Sequence, residues 1–364
     1  MSVLRLIIRK VRFELQTCKS IWRFWSKPID RLARIERSIP TLSIETTNIC
    51  NANCIFCAYQ YQQRPAGIMS MELFSKLIEQ YAEVGGGAIN LTPTVGEPLA
   101  DKYIIERIRL ARANRKITRI GMYSNMISLE RLGATALVES GLTSLTVSTS
   151  GLDEDMYKRV YRSNEYKRML RNLMAFARAN LAAGSPVDLF VDMRADRPGK
   201  EVFQFPDYKA LADLIGANRI GLKFRYDNWA GKITQNQLSG NMRLRSPINV
   251  LRPRIAACSE LYSGPMVYWD GRVGACGCRD VDARELIIGD ANGTHIADIW
   301  FGRELKLLRD EFLTPAIKPI CKSCTHFNPV SIFFRPDNDS MVRQLKPVEW
   351  RTRENAVAKP VVER

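Results

Sequence analysis

The stretch Cys50-Asn51-Ala52-Asn53-Cys54-Ile55-Phe56-Cys57 brings three thiols into one short loop with no histidine nearby. Three ligands are one short of a closed metal site, and an open coordination position is what separates a catalytic metal centre from a structural one. A second group, Cys258, Cys276, Cys278, Cys321 and Cys324, is large enough to complete a set of its own, and Cys18 stands alone. Only two histidines occur, His295 and His326, so metal chemistry must rest on sulfur. Thiolates favour zinc or iron–sulfur clusters. The nine cysteines in all suit ligation before disulfides in a reducing compartment. Spacing alone leaves zinc open, either with Cys54 and Cys57 as half a site or with four cysteines of the second group.

The elements that must carry these residues follow from apolar periodicity. Strand-like runs at 42–45, 88–92, 118–123, 144–148, 187–193 and 220–225 alternate with helical patterns at 71–84, 103–113, 129–139, 166–183 and 208–215. Six βα units in series predict an α/β fold, a parallel sheet curved into a partial (β/α)6 barrel. Active sites of such folds form at the C-terminal strand ends, and the three-cysteine loop directly follows the first strand. After about Trp229 the pattern breaks. The segment 265–276 reads as a hairpin turning at Asp270-Gly271, followed by a helix over 295–312 and then Cys321-Lys322-Ser323-Cys324. The expected organisation is a basic helical extension over 1–40, the barrel over 41–230, a small α+β cysteine-rich domain over 231–335 and a basic tail over 336–364.

At Cys50, Cys54 and Cys57 the sequence resembles the radical S-adenosylmethionine (SAM) enzymes, whose cysteines hold three irons of a 4Fe–4S cluster and leave the fourth for SAM. The aromatic residue before the last cysteine is Phe56, which the resemblance places beside the adenine. Thr94-Val95-Gly96-Glu97-Pro98-Leu99, after the second strand, resembles the family's glycine–glutamate–proline motif, so Gly96, Glu97 and Pro98 are expected to receive the SAM amino group. Val95 departs from the pattern, since a further glycine is common there. The run 146–162 resembles another family segment and implicates Ser148. Asn125, ending the third strand, and Arg194, past the fifth, are expected at the SAM pocket. This resemblance covers roughly 42–229. It implies reductive cleavage of SAM to a 5′-deoxyadenosyl radical that takes a hydrogen atom from a substrate C–H bond.

The second cysteine group resembles the family's SPASM/Twitch auxiliary-cluster domain. Five cysteines fit the shorter Twitch form with one auxiliary 4Fe–4S cluster, on Cys258, Cys276, Cys321 and Cys324. The spacing is similar to that of the Twitch dehydrogenase acting on an aminocyclitol in butirosin biosynthesis. Cys278 is left as an alternative ligand, an inert thiol or a hydrogen donor to a substrate radical. Asp227, beyond the sixth strand with Arg225 and Trp229, is a candidate base, or else a loop salt bridge or cap.

The net charge of +16 calls for an acidic partner, and residues 1–40 hold ten Lys/Arg against three Asp/Glu. Leu4, Ile7, Val11, Leu15, Cys18, Trp22 and Trp25 recur as an amphipathic helix over 3–25, suited to packing on the main domain or to a membrane surface. No apolar run approaches the roughly 18–20 residues that span a bilayer, and no signal-peptide pattern is present, so the expected location is cytoplasmic, with membrane-surface contact left open. A flavodoxin or ferredoxin-type donor suits the positive charge. The expected reaction is oxidation or epimerisation of a sugar, aminocyclitol or glycan-like substrate. Peptide maturation is the alternative, an RNA-modifying enzyme is a third reading that lacks a basic and aromatic stacking platform outside the terminal helix, and a non-enzymatic zinc or iron–sulfur protein on nucleic acid is a reading of another class.

Overall fold

A computed structural model describes residues 29–245, 256–277, 279–334 and 344–350, with the isolated positions 15, 16, 18, 19, 22 and 342. Nearly all of the expected helix over 3–25, much of the tail and Cys278 lie outside the described residues.

The six expected strands form, parallel and in chain order. They are β1 (Thr41–Ile44), β2 (Gly87–Asn90), β3 (Ile117–Ser124), β4 (Ser144–Ser150), β5 (Asp188–Arg194) and β6 (Ile220–Lys223). Helices connect them, giving the expected α/β architecture, although the sheet stays open. Alternation drives β1, where Leu42 and Ile44 are wholly buried. The helix Met71–Glu83 starts where Ser70 Oγ accepts from the Leu73 amide at 3.0 Å, and it buries Phe74, Leu77, Ile78 and Tyr81 against the sheet. A helix not foreseen from periodicity, Glu154–Tyr161, begins where Asp153 Oδ1 accepts from the Met156 amide at 2.9 Å.

Three expectations need correction. The helix expected over 129–139 is interrupted by Gly133 at φ +85°, leaving a 3-10 turn Leu129–Arg131 and a helix Ala134–Val138. The helix expected over 295–312 splits into Ile296–Trp300 and Arg303–Glu311 at Gly302, where a Cβ would stand 2.6 Å from the Asp298 carbonyl oxygen. The hairpin turn is longer than the two-residue Asp270-Gly271. Tyr268 N donates to Arg272 O at 2.9 Å and Gly271 N to Tyr268 O at 2.9 Å, so Trp269-Asp270-Gly271 form a three-residue loop with Gly271 at φ +94°.

A two-residue pair, β7 (Arg225–Tyr226) and β8 (Arg243–Leu244), makes a small separate parallel sheet. The hairpin strands β9 (Met266–Val267) and β10 (Arg272–Gly274), with β11 (Ile287–Asp290), extend the main sheet because β9 pairs in parallel with β1. The nine strands therefore run β11-β10-β9-β1-β2-β3-β4-β5-β6. The barrel and the cysteine-rich segment share one sheet. Lys76 Nζ, on the Met71–Glu83 helix, donates to the Ala291 carbonyl at 2.9 Å, and Trp300 Nε1 donates to the Ser38 carbonyl at 3.1 Å.

Just beyond β1, Glu45 is fully buried and takes both Arg64 terminal nitrogens, at 2.5 and 3.0 Å. Arg64 Nε donates to the Val281 carbonyl at 2.8 Å, and its guanidinium lies 4.9 Å from the centre of the Tyr268 ring. One side chain thus clamps the first strand, the chain after the cysteine loop and the second cysteine segment. Removing one member strands a buried charge, so Arg64→Leu is expected to destabilise by about 3–5 kcal/mol in urea unfolding. Glu45→Leu/Arg64→Met should regain much of that loss, since no uncompensated charge then remains.

Candidate active site

The three-cysteine loop is held from several sides. Asn53 N donates to Tyr161 O at 3.3 Å and Ile55 N to Val160 O at 3.0 Å, pinning it on the Glu154–Tyr161 helix. Asn48 closes the base of the loop, donating to the Pro65 carbonyl at 2.8 Å and accepting from the Gly67 amide at 2.9 Å. Trp229 Nε1 donates to the Phe56 carbonyl at 2.8 Å. Cys50, Cys54 and Cys57 then line one cavity at the C-terminal strand ends, together with Phe56, Glu97, Asn125, Ser148, Arg194 and Asp227. None is in a disulfide. Burial, with Glu97 adding to it, pushes the Cys50 thiol up to about 12. Burial also pushes Cys54 and Cys57 up, opposed by the Arg194 guanidinium.

Gly96 has a steric task. At φ +140° its Cβ would stand 2.7 Å from the Thr47 carbonyl oxygen, and the next amide, Glu97 N, donates to Ile49 O at 2.8 Å. The glycine lets the second loop lie against the cysteine loop. Glu97 is 2% exposed; Oε1 accepts from Ser124 Oγ at 2.6 Å and from Leu99 N at 3.1 Å, and Oε2 from Asn125 N at 2.7 Å. Burial still raises it to about 7 because no cation faces it closely. Pro98 opens the short turn that Glu97 caps. Val95, at the position where the family pattern often has glycine, is buried with Ala58 and Val281 in a small cluster joining the two cysteine segments.

The remaining expected residues converge on the same cavity, but mostly on each other. Asn125 Nδ2 donates to Asn51 Oδ1 at 2.7 Å, so it braces the cysteine loop. Ser148 Oγ accepts from Arg194 Nη1 at 2.6 Å and lies 2.9 Å from the Tyr161 hydroxyl. Phe56 stacks on Tyr226 at 5.5 Å, with the Arg194 guanidinium 4.8 Å from its ring centre. Arg194 Nε is buried with no hydrogen-bond partner, a donor lining the cavity in want of an acceptor. Such a donor suits a carboxylate or ribose oxygen.

Cys258, Cys276, Cys321 and Cys324 line a second cavity, and Arg279 and His326 line both. Thr94 Oγ1 donates to the Gly277 carbonyl at 3.0 Å, tying the second loop of the first site to the segment carrying Cys276. Burial pushes the Cys258 thiol up. Asp227 is not free: Arg279 Nε lies 2.7 Å from its Oδ1, and that guanidinium stacks 4.5 Å from the Trp229 ring centre. Sequence reasoning missed Arg279, although it follows the Cys276-Gly277-Cys278 run almost directly. It also missed Lys223 and Arg245, which carry no motif.

The donor chemistry decides what these cavities fit. Buried thiols resist ionisation, so a ligand of high positive charge must supply the compensation, as iron does. Among the described residues, no three of His, Cys, Asp and Glu converge closely enough to hold a single ion. Residues 44–189 match the radical SAM superfamily.

The chain belongs to the radical SAM superfamily. Residues 258–325 match the SPASM iron–sulfur cluster-binding domain, so the cofactors are SAM, a 4Fe–4S cluster and auxiliary iron–sulfur centres. Among curated proteins, the chain is similar to GTP 3′,8-cyclase of Alkaliphilus metalliredigens, 27% identical over 159 residues, 43% of this chain and 48% of that one. The Pseudomonas putida enzyme of the same name is 30% identical over 145 residues, 39% of this chain and 42% of that one. The chain thus spans under half the length of these relatives. Among solved structures, BtrN in complex with AdoMet and 2-DOIA shares the fold, with TM-score 0.52 and 18% identity over 79% of this chain and 93% of BtrN. Streptococcus suis SuiB bound to precursor peptide SuiA does so with TM-score 0.57 and 14% identity over 82% of this chain and 73% of SuiB. Among the described residues no helix is long and apolar enough to cross a membrane.

Gly96→Ala should force the two loops apart. The expected result is a loss of about 1–3 kcal/mol from strain, with iron per chain falling well below that of the parent protein when both are reconstituted anaerobically.

Proposed function

We propose that this radical SAM enzyme is an oxidoreductase of the dehydrogenase or epimerase type, acting at a carbinol carbon of a sugar, aminocyclitol or glycan-like substrate. When bound, the cluster at Cys50, Cys54 and Cys57 supplies the electron that splits SAM to the hydrogen-abstracting radical, and one auxiliary cluster at Cys258, Cys276, Cys321 and Cys324 supplies a sink for a second electron. The observation that carries oxidation over a redox-neutral outcome is the pair of adjoining sulfur-lined cavities that share Arg279 and His326. Four thiolates on the second leave no vacancy for substrate, so that site suits electron transfer.

The chain's own residues would then bind and orient. Glu97, set by Gly96 and Pro98, is placed to meet the SAM ammonium, and Arg194 with Ser148 to meet its carboxylate or ribose. Phe56 would border the adenine. Asp227, held in place by Arg279, would take the hydroxyl proton of a carbinol being oxidised. Epimerisation would call on a hydrogen donor, for which Cys278 is the candidate; Cys278→Ala leaving product stereochemistry and turnover unchanged would exclude it. A flavodoxin or ferredoxin-type donor fits the +16 charge. Maturation of a peptide is the second reading, favoured by the fold shared with SuiB, whose structure was solved with precursor peptide SuiA.

Anaerobically reconstituted protein is expected to be brown, to hold about eight irons and, on reduction, to form 5′-deoxyadenosine from SAM. Colourless zinc-loaded protein that never forms 5′-deoxyadenosine would overturn this function. Glu97 also predicts a pH dependence. Its carboxyl is raised to about 7 in the absence of a cation, and the ammonium favours the ionised form. SAM affinity should therefore weaken as pH falls below about 7, by up to about tenfold per unit, with proton release on binding. Calorimetry in two buffers of different ionisation enthalpy reads that release, and Glu97→Gln should abolish it.

A further inference from the structure

We propose that the substrate is a phosphate ester, a glycosyl phosphate or a nucleoside-diphosphate sugar, whose phosphate is gripped by Arg225 and Arg245 at the mouth of the cavity. This rests on the reading of that cavity as the radical SAM site.

The charges lining the cavity do not balance. Five are cationic, Arg194, Lys223, Arg225, Arg245 and Arg279, against two carboxylates, Glu97 and Asp227. Glu97 is the carboxylate assigned above to the SAM ammonium, and Asp227 is paired with Arg279. Lys223 and Arg194 share Asp192, behind the cavity wall, at 2.8 and 3.4 Å. Among the described residues, no acid pairs with Arg225 or Arg245, and both are exposed.

The backbone holds these two together. Arg225 lies on β7, and Arg245 follows β8, its amide donating to the Tyr226 carbonyl at 2.6 Å. The register pairs Arg225 with Arg243, and continuing it sets Arg245 beside Asp227, whose carboxylate is held by Arg279. Arg243, opposite Arg225, turns aside to the Gly240 and Met242 carbonyls at 2.6 and 2.8 Å. Arg225 and Arg245 both line the cavity, and an anion at its mouth would balance their charge.

SAM cannot be that anion. Its sulfonium, ammonium and carboxylate leave one net positive charge, which deepens the excess. An amine-bearing substrate would add another like charge, and a neutral sugar would leave the pair unbalanced. A phosphate brings up to two negative charges and oxygens that two guanidinium forks can hold. Tyr123, 46% exposed on the same cavity, offers an aromatic face to a sugar ring or base.

The test uses reconstituted, SAM-loaded enzyme and two separate readouts. Binding of glucose 1-phosphate, UDP-glucose, glucose, glucosamine and a short single-stranded RNA is measured by calorimetry, and 5′-deoxyadenosine is measured after reduction. The phosphorylated sugars are expected to bind at least tenfold more tightly than glucose or glucosamine, and the tighter of the two identifies the phosphate source. Arg225→Gln and Arg245→Gln should each weaken that binding about tenfold or more, the worth of a charge-assisted hydrogen bond. Arg225→Lys and Arg245→Lys should weaken it less, with cluster absorbance reporting that each variant is folded. Equal binding of glucose and glucose 1-phosphate, no change in Arg245→Gln, or binding of the RNA alone would each overturn the proposal. Phosphate-sugar binding by protein that never forms 5′-deoxyadenosine would instead overturn the proposed function and leave the phosphate site standing.

Discussion

The buried ion pair of Glu45 and Arg64 joins the parts on which the site depends. Glu45 stands just past β1, Arg64 follows the cysteine loop, and Arg64 reaches the Val281 carbonyl in the second cysteine segment. A pair with no water around it holds only in one geometry, because each charge is costly to bury alone. Both cysteine cavities are therefore positioned by the same guanidinium. The β1–β9 pairing acts in the same sense, since it makes the cysteine-rich segment an extension of the barrel's own sheet.

From that frame the electrostatics of the cavity follow. Three half-buried thiols and a buried carboxylate line the inner end, while Arg194 and Arg279 lie close to them. The inner end suits the cationic cofactor and the iron it binds. The outer end, at Arg225 and Arg245, carries the opposite character. A polar SAM molecule and an anionic substrate would then meet in a field that runs along the cavity, with Arg279 and His326 leading toward the second set of thiols.

Much of this was legible in the sequence where the signal is local. Leu42 and Ile44 alternate with half-exposed neighbours, and β1 forms there. Ser70 before an amphipathic run marks the start of the helix at Met71. Other features were illegible because hydrophobic period carries no backbone geometry: Gly302 ends a periodic helix where its backbone lies closer to the Asp298 carbonyl than a side chain would allow, and the hairpin loop takes a third residue because Tyr268 pairs with Arg272. Asn125 and Ser148 line the cavity as expected, while the partners that hold their side chains there, Asn51, Tyr161 and Arg194, come from elsewhere in the chain.

The sequence by itself determined where the thiols gather: cysteine spacing is a local property, and the three thiols of one loop line one cavity. It also determined the order of strands and helices, because hydrophobic period depends only on adjacent residues. Tertiary structure alone decided which charges are paired. Asp227 is matched by Arg279, far along the chain, while Arg225 and Arg245 line the same cavity with no acid bonded to them among the described residues. Charge balance is a sum over everything within a few ångströms, and only the folded chain says what those neighbours are.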